Sequence, residues 1–248
     1  MLREVDWIGI DFAFTMMNPL AMHHSKVIPE LYRNLGRESE GPERLARWYR
    51  LRDSLGAPTD PLHQKVRLMK EYNRDRLHAE VFDNDPAVIR MYAEMEAKER
   101  KPPEDLRTAL GYVRSKGKEL AVVSEVSGVE GTMTIRDSLK ANDLTEFFSY
   151  LISPAGRFEP DGRLIDQRSF QGSFKKDGSL YERLASYLDS RGIPAGRRAM
   201  VGDDPKMDIG FAKDNGFVTV QYTGLIDRGR SPEADFYLAR WSDLPDLL

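Results

Sequence analysis

The sequence predicts an α/β protein of three layers, in which a doubly wound parallel sheet lies between helices and a helical segment is inserted. Short apolar runs alternate with helical patterns through residues 100–248, as parallel strands and their connecting helices do. These runs are Leu120–Val123, Phe147–Ile152, Ala199–Val201 and Phe217–Val220. Residues 18–99 instead contain four helical patterns and no convincing strand. We therefore expect a core of residues 1–17 and 100–248, interrupted by a four-helix domain at 18–99.

Composition excludes several classes of protein. A net charge of −3 over 248 residues gives no general attraction to nucleic acid or to anionic lipid. The absence of cysteine excludes disulfides, thiol nucleophiles and cysteine metal sites, and it is compatible with the cytoplasm. Charges near the N-terminus do not fit a signal peptide, and no apolar run approaches about 18 residues. We expect a cytoplasmic monomer or homodimer without a nucleic-acid or membrane partner.

The first strand is predicted at Val5–Asp11, where an apolar run ends in an aspartate. Apolar residues spaced by three or four then mark the four helices. They are Leu20, Val27 and Leu31; Leu45, Trp48 and Leu55; Leu62, Val66, Met69 and Leu77; and Val88, Met91, Tyr92 and Met95. Pro29 should kink the first helix, Pro61 favours the start of the third, and Asp85 should cap the fourth.

Two features interrupt the alternation in the second half of the chain. Residues 155–173 resemble a hairpin about Pro160–Gly162, which we expect to be an insertion beside the sheet. Further on, Ser179 and Glu182 have the spacing of a capping box, which predicts the start of a helix that closes near Gly192.

Polar residues follow three of the predicted strands. Asp11 ends the first strand, Ser124 follows Val123, and Asp203 follows Gly202. Because sites in parallel sheets collect at the carboxyl ends of strands, these residues should lie at one edge. Each signal is weak alone, since such residues commonly form turns or caps. Their order and spacing together predict a site.

These runs resemble the four sequence motifs of the haloacid dehalogenase (HAD) superfamily. Ile8–Thr15 resembles motif I, an apolar strand followed by Asp-x-Asp-x-Thr, and Ser124 resembles motif II. Lys175–Tyr181 resembles motif III and favours Lys175 over Lys176. Gly202–Ile209 resembles the Gly-Asp-x-x-x-x-Asp form of motif IV. Residues 18–99 stand where this superfamily carries its type-one helical cap.

The resemblance implies a magnesium-assisted hydrolase of a small phosphorylated or phosphonate substrate. Asp11 would be the nucleophile and form an aspartyl intermediate. Lys175 would offset the negative charge of the carboxylates and the incoming phosphate, and Ser124 would bind phosphate oxygens. The implied Mg²⁺ ligands are Asp11, the backbone carbonyl of Ala13 and Asp203, with Asp208 as a further ligand or as an anchor that orients the ligands. Further candidates for contact with the substrate are Thr15, His23, His24, Lys65, Glu125, Lys176 and Asp204.

The chain departs from the motif at Ala13, where phosphatases of the superfamily carry an aspartate as general acid and base. Phe14 likewise replaces the usual glycine. A missing general acid costs a factor of about 10²–10⁴ in rate.

Three interpretations of Ala13 remain open. Phosphonoacetaldehyde hydrolases of the superfamily have alanine here and form an imine between a cap lysine and the substrate. Lys65 is the first candidate for that lysine, and Lys26 and Lys70 are the next. Alternatively, His23, His24 or another cap residue is the acid of a phosphatase. Thirdly, the protein is a weak or inactive enzyme that binds a phosphorylated ligand or a protein. A haloacid dehalogenase proper is disfavoured, because those enzymes need no metal and this chain retains metal-type carboxylates.

Overall fold

A computed structural model of the chain describes residues 2–17, 23–55, 71–99, 101–126 and 129–248. The chain forms two compact units. The sheet unit consists of Met1–Met17 and Pro102–Leu248, and the helical unit is Asn18–Lys101. No helix in the described ranges is long and apolar enough to cross a membrane.

An eight-stranded sheet lies in the sheet unit, with strand order β5-β4-β3-β2-β1-β6-β7-β8. The strands are β1 (Trp7–Ile10), β2 (Glu119–Val123), β3 (Tyr150–Ser153), β4 (Gly156–Phe158), β5 (Leu164–Asp166), β6 (Arg198–Gly202), β7 (Val218–Tyr222) and β8 (Phe236–Leu238). From β3 through β8 in this order, neighbouring strands run parallel. The first strand of the sequence therefore lies at the centre, between β2 and β6.

The predicted α/β class is confirmed, and the hairpin expected at residues 155–173 contributes the two antiparallel strands of the sheet. β4 pairs with β3 in antiparallel orientation, and β5 pairs antiparallel with β4. These two strands form the hairpin expected from the Pro-Asp-Gly turn. They extend the main sheet at one edge instead of lying beside it, because a strand edge satisfies its backbone groups by pairing.

The helices are α1 (His23–Asn34), α2 (Gly41–Ser54), α3 (Glu71–Val81), α4 (Pro86–Glu99), α5 (Leu106–Ser115), α6 (Val129–Ala141), α7 (Ser179–Ser190) and α8 (Phe211–Asp214). A π-helical turn, Pro205–Gly210, leads directly into α8. A 3₁₀ turn, Lys175–Asp177, precedes α7, and the 3₁₀ segment Trp241–Leu247 ends the chain.

Both faces of the sheet are buried by helices. Ile8 of β1 belongs to a core with Leu110 of α5, whereas Trp7 belongs to a second core with Leu184 of α7. Successive strand residues point to opposite faces, so a strand covered on both sides is apolar throughout. Complete burial of such a side chain contributes roughly 1.5–3 kcal/mol. The short continuous apolar runs of the sequence follow from this arrangement.

The capping box predicted at Ser179 and Glu182 is wrong. The N-cap of α7 is Gly178, whose φ of +83° is a left-handed conformation that glycine adopts without strain. Ser179 is consequently the first helical residue, and its hydroxyl donates to Asp177 Oδ1 at 2.6 Å. The turn at Asp177–Ser179 therefore sets the backbone path just after Lys175.

In the helical unit, apolar side chains of α1 to α4 form one core. Its members include Val27, Leu31, Trp48, Leu77, Phe82 and Tyr92. The predicted cap of α4 is confirmed, because Asp85 Oδ1 accepts from the backbone N–H of Ala87 at 2.9 Å. Pro29 lies inside α1. Residues 56–70, with the predicted helix start at Pro61, lie outside the described residues.

The C-terminal segment is joined to the loop after β1 by Trp241. Its side chain is fully buried, its ring centroid lies 5.1 Å from that of Tyr222, and its Nε1 donates to the carbonyl of Thr15 at 3.2 Å. A large aromatic side chain in this position stabilises both the core and the loop.

We predict that Trp241→Ala lowers the free energy of unfolding by about 3–5 kcal/mol, because it removes a buried ring and leaves a cavity. Urea denaturation measures the change. Tyr112→Ala, which truncates a tyrosine that is 38% exposed, is the control and should cost less than about 1 kcal/mol. Equal losses in the two variants would contradict this account of the C-terminal segment.

Candidate active site at the carboxyl edge of the sheet

Three neighbouring strands deliver polar residues to one edge of the sheet. Ile10 pairs with Val122 on one side and with Val201 on the other. This register puts Ser124 and Asp203 each one residue beyond the level of Asp11. The backbone N–H of Asp11 also donates to the carbonyl of Val201 at 2.9 Å.

The centre of the site is a cluster of three carboxylates, from Asp11, Asp203 and Asp208. One carboxylate oxygen from each lies within 4.8 Å of the others, and all three residues are buried. Buried carboxylates repel one another and are costly unless positive charge is nearby. Hard oxygen donors in this arrangement fit a divalent cation such as Mg²⁺.

Lys175 supplies positive charge to the cluster. Its Nζ donates to Asp11 Oδ1 at 2.5 Å and to Asp208 Oδ1 at 2.6 Å, and the side chain is only 2% exposed. Burial alone would lower the pKa of Lys175, but the two carboxylates outweigh burial and hold this pKa well above its ordinary value. Burial raises the pKa of Asp11, and the ammonium of Lys175 opposes that rise. Lys176 points elsewhere, with its Nζ 4.7 Å from the ring centroid of Phe174.

Asp203 is held through both of its oxygens. Oδ1 accepts from the hydroxyl of Thr15 at 3.2 Å, and Oδ2 accepts from Nε of Arg228 at 2.7 Å. Burial and the neighbouring Asp208 raise the pKa of Asp203 to about 7, against the opposing effect of Arg228. A divalent cation beside this carboxylate would favour its ionised form.

Asp208 reaches the cluster because the π-helical turn passes close to the end of β6. A Cβ added at Gly202 would lie 2.3 Å from the Cβ of Asp208, so a glycine is required there. Asp204 caps the turn, and its Oδ1 accepts from the backbone N–H of Met207 at 2.8 Å. The backbone N–H of Asp204 in turn donates to Asp208 Oδ2 at 3.1 Å. These contacts give Asp204 a role in shaping the turn.

Ser124 and Glu125 follow β2 at the same edge. Ser124 is buried, and its backbone N–H donates to the carbonyl of Ile152 at 2.9 Å. Glu125 is partly buried and accepts a hydrogen bond from the backbone N–H of Lys175. Burial raises the pKa of Glu125, and its hydrogen bond with Lys175 limits the rise. Glu125 therefore anchors the turn that carries the site lysine.

The loop after Asp11 differs from the motif at two positions. Ala13 is exposed and offers no side-chain acid. Phe14 is buried with a φ of +63°, a left-handed conformation that costs a non-glycine residue about 1–2 kcal/mol. The glycine usual at this position would adopt the same conformation without strain.

The other predicted contacts belong to the helical unit. His24 is buried and stacks on Trp48, with ring centroids 3.8 Å apart, so its described contacts are those of a packed core residue. His23 is the first residue of α1. Lys26 is exposed on the same helix, whereas Lys65 and Lys70 lie outside the described residues.

Two residues at the cluster were not predicted. The hydroxyl of Tyr181 lies 3.3 Å from Asp208 Oδ1, to which it donates. Its position within the motif III-like run was an available signal. Arg228 contacts Asp203 from the loop after β7, and no sequence pattern distinguishes it from an ordinary solvated arginine.

Comparison with solved structures finds whole-chain similarity at low sequence identity. A dehalogenase with intermediate complex has a TM-score of 0.56 and 16% identity, covering 99% of this chain and 97% of its own. A protein described as a HAD-hydrolase, YfnB from Bacillus subtilis bound to magnesium, has a TM-score of 0.55 and 12% identity, covering 98% of each chain. A HAD phosphatase from Thermococcus onnurineus has a TM-score of 0.53 and 20% identity, covering 98% and 97%. The chain has the fold of the HAD superfamily.

No family model and no curated protein matches the chain. Structural similarity shows the HAD fold, and the chemistry of the site depends on the residues that this chain places there.

We predict that Lys175→Met lowers the free energy of unfolding by about 3–5 kcal/mol in a chelator, because Asp11 and Asp208 would lose the cation they share. Lys176→Met is the matched control and should change it by less than about 0.5 kcal/mol. Urea denaturation of both variants measures the difference. A Lys175 variant as stable as the control would show that this ammonium does not hold the cluster together.

Proposed function

We propose that the protein is a Mg²⁺-dependent hydrolase of a small phosphorylated or phosphonate substrate, with Asp11 as the nucleophile. The observation that carries the proposal is the cluster of Asp11, Asp203 and Asp208, whose oxygens lie within 4.8 Å of one another beside Lys175. The buried carboxylate of Asp11 is paired with the ammonium of Lys175 and could also bind a metal cation. Such a carboxylate is suited to nucleophilic attack on an anionic phosphorus centre.

The residues that would hold the cation are Asp11, Asp203, Asp208 and the backbone carbonyl of Ala13. When bound, Mg²⁺ supplies positive charge that offsets the negative charge of the phosphoryl oxygens. The hydroxyl of Thr15 keeps Asp203 oriented, and the backbone N–H of Asp204 does the same for Asp208.

In the first step, a carboxylate oxygen of Asp11 forms a bond to phosphorus, and the bond from phosphorus to the leaving group breaks. The product is an aspartyl phosphate. In the second step, water attacks the phosphorus, inorganic phosphate leaves, and the carboxylate of Asp11 is regenerated. Lys175, hydrogen-bonded to Asp11 Oδ1, offsets negative charge on this carboxylate in each resting state.

The proposal predicts that Asp11→Asn loses at least about 10³-fold in kcat on any phosphate ester that the wild-type protein hydrolyses, because the nucleophile is gone. A panel of phosphate esters, acyl phosphates and phosphonates with Mg²⁺ measures this. Asp214→Asn, which changes an exposed aspartate of α8, is the control and should keep full activity. Equal activity in the Asp11 variant would exclude this nucleophile. Binding of metal and phosphate without turnover would instead favour a binding protein.

Ala13 determines which substrates the site can use. Without an acid two residues after the nucleophile, the leaving group has to depart as an anion or receive its proton from elsewhere. This favours a leaving group of low pKa, or a phosphonate such as phosphonoacetaldehyde, in which an imine with a lysine would stabilise the departing carbon. That second candidate function requires a cap lysine, and Lys65 remains a prediction.

We expect Ala13→Asp to raise hydrolysis of alkyl phosphates by up to about 10²–10⁴-fold, because it restores a proton donor. The gain should be small for p-nitrophenyl phosphate, whose leaving group needs no proton. Ala13→Asn, similar in size but unable to donate an acidic proton, is the matched control. A gain that is the same for both variants, or the same for both leaving groups, would rule out the missing acid as the limitation.

A further inference from the structure

Arg228 is fixed at the carboxylate cluster by one edge of its guanidinium. Its Nε donates to Asp203 Oδ2 at 2.7 Å, and its Nη1 lies 3.7 Å from Asp204 Oδ2. The first contact is a charge-assisted hydrogen bond, while the second is too long to be a hydrogen bond. The arginine is therefore oriented by Asp203 and only attracted by Asp204.

The ring of Phe14 supports the same guanidinium. The Cζ of Arg228 lies 5.0 Å from the centroid of this ring, within the range of a cation–π interaction. Phe14 is itself buried and held in a left-handed backbone conformation, directly after Ala13. Two independent contacts thus limit the motion of the Arg228 head group.

Most of the hydrogen-bonding capacity of this guanidinium is unused. An arginine head group has five N–H donors, and among the described residues only Nε of Arg228 has an acceptor within hydrogen-bond distance. Its side chain is 27% exposed, whereas that of Lys175 is 2% exposed and donates to two carboxylates. Arg228 consequently offers accessible donors where Lys175 does not.

With Arg228 counted, one divalent cation would balance the charges of the cluster, so a bound anion has to use hydrogen-bond donors that these groups leave free. Four carboxylates face the two cationic side chains, and one divalent cation would bring the ionised groups to neutrality. These carboxylates belong to Asp11, Asp203, Asp204 and Asp208. A phosphoryl group then adds negative charge that the shared ammonium of Lys175 is poorly placed to meet, since it is already engaged.

We infer that Arg228 binds the phosphoryl oxygens of the substrate through Nη1 and Nη2 while its Nε remains on Asp203. This inference rests on the proposed function and adds a substrate-binding residue to it. A guanidinium anchored on one edge presents a planar pair of donors, the geometry that suits phosphate.

The test is an isothermal calorimetric titration of inorganic phosphate into the whole protein at saturating Mg²⁺. Arg228→Gln should weaken phosphate binding by about 10–100-fold, because hydrogen bonds to a charged group are lost. Arg228→Lys should resemble the Gln variant more than the wild type, since one ammonium cannot hold Asp203 and also present two donors. Arg230→Gln is the matched control from the same loop, where Arg230 is exposed over the Tyr237 ring, and should stay within about twofold.

Arg228 could affect phosphate binding either directly or only by orienting the metal ligand Asp203. Titration of Mg²⁺ alone distinguishes these two roles. Arg228→Gln should bind Mg²⁺ as tightly as the wild type or more tightly, because it removes a positive charge beside Asp203 and leaves the carboxylate in place. Unchanged phosphate affinity, or a parallel loss of Mg²⁺ and phosphate affinity, would overturn the inference while leaving the proposed function intact. If the wild type and the Arg230 variant both fail to bind phosphate, the inference fails, whereas the proposed function is decided separately by turnover of the substrate panel.

Discussion

The site depends on the balance between three buried carboxylates and the cations that face them. An isolated carboxylate buried at this depth would cost several kcal/mol, and three together would not remain ionised. Lys175 bridges Asp11 and Asp208, and Arg228 holds Asp203, so each carboxylate has a positive partner. The negative charge that remains is of the kind that a divalent cation would neutralise. The same imbalance makes the cluster costly for folding and underlies the proposed reaction at an anionic phosphorus centre.

The order of the strands in the sheet brings these charged residues together. β1 lies between β2 and β6, so a carboxylate at the end of β1 lies beside the ends of both neighbours. The glycine at position 202 then lets the π-helical turn return Asp208 to the cluster, and Gly178 fixes the turn after Lys175. The backbone therefore brings the charged residues of the cluster close together, and side-chain hydrogen bonds orient their carboxylates.

Much of this arrangement could be predicted from the sequence because strand topology constrains it. The α/β class follows from alternating patterns, and strand ends converge at one edge of a parallel sheet. The edge hairpin was recognised as a hairpin, but its pairing with β3 could not be predicted, because alternation does not tell which edge a hairpin joins. The capping box at Ser179 failed because Gly178 can adopt the left-handed conformation that makes it the N-cap. Arg228 was missed because the path of a long loop after β7 depends on tertiary contacts, and a loop arginine is ordinarily solvated.

The central claim is that Asp11 is a nucleophile that shares a divalent cation with Asp203 and Asp208. Its most direct test is a crystal structure of the protein grown with Mg²⁺ and beryllium fluoride, which mimics a phosphoryl group on an aspartate. The account predicts an octahedral ion about 2.1 Å from oxygens of Asp11 and Asp203, with the fluoride adduct on Asp11. An unmodified Asp11, or an ion bound away from these carboxylates, would contradict it.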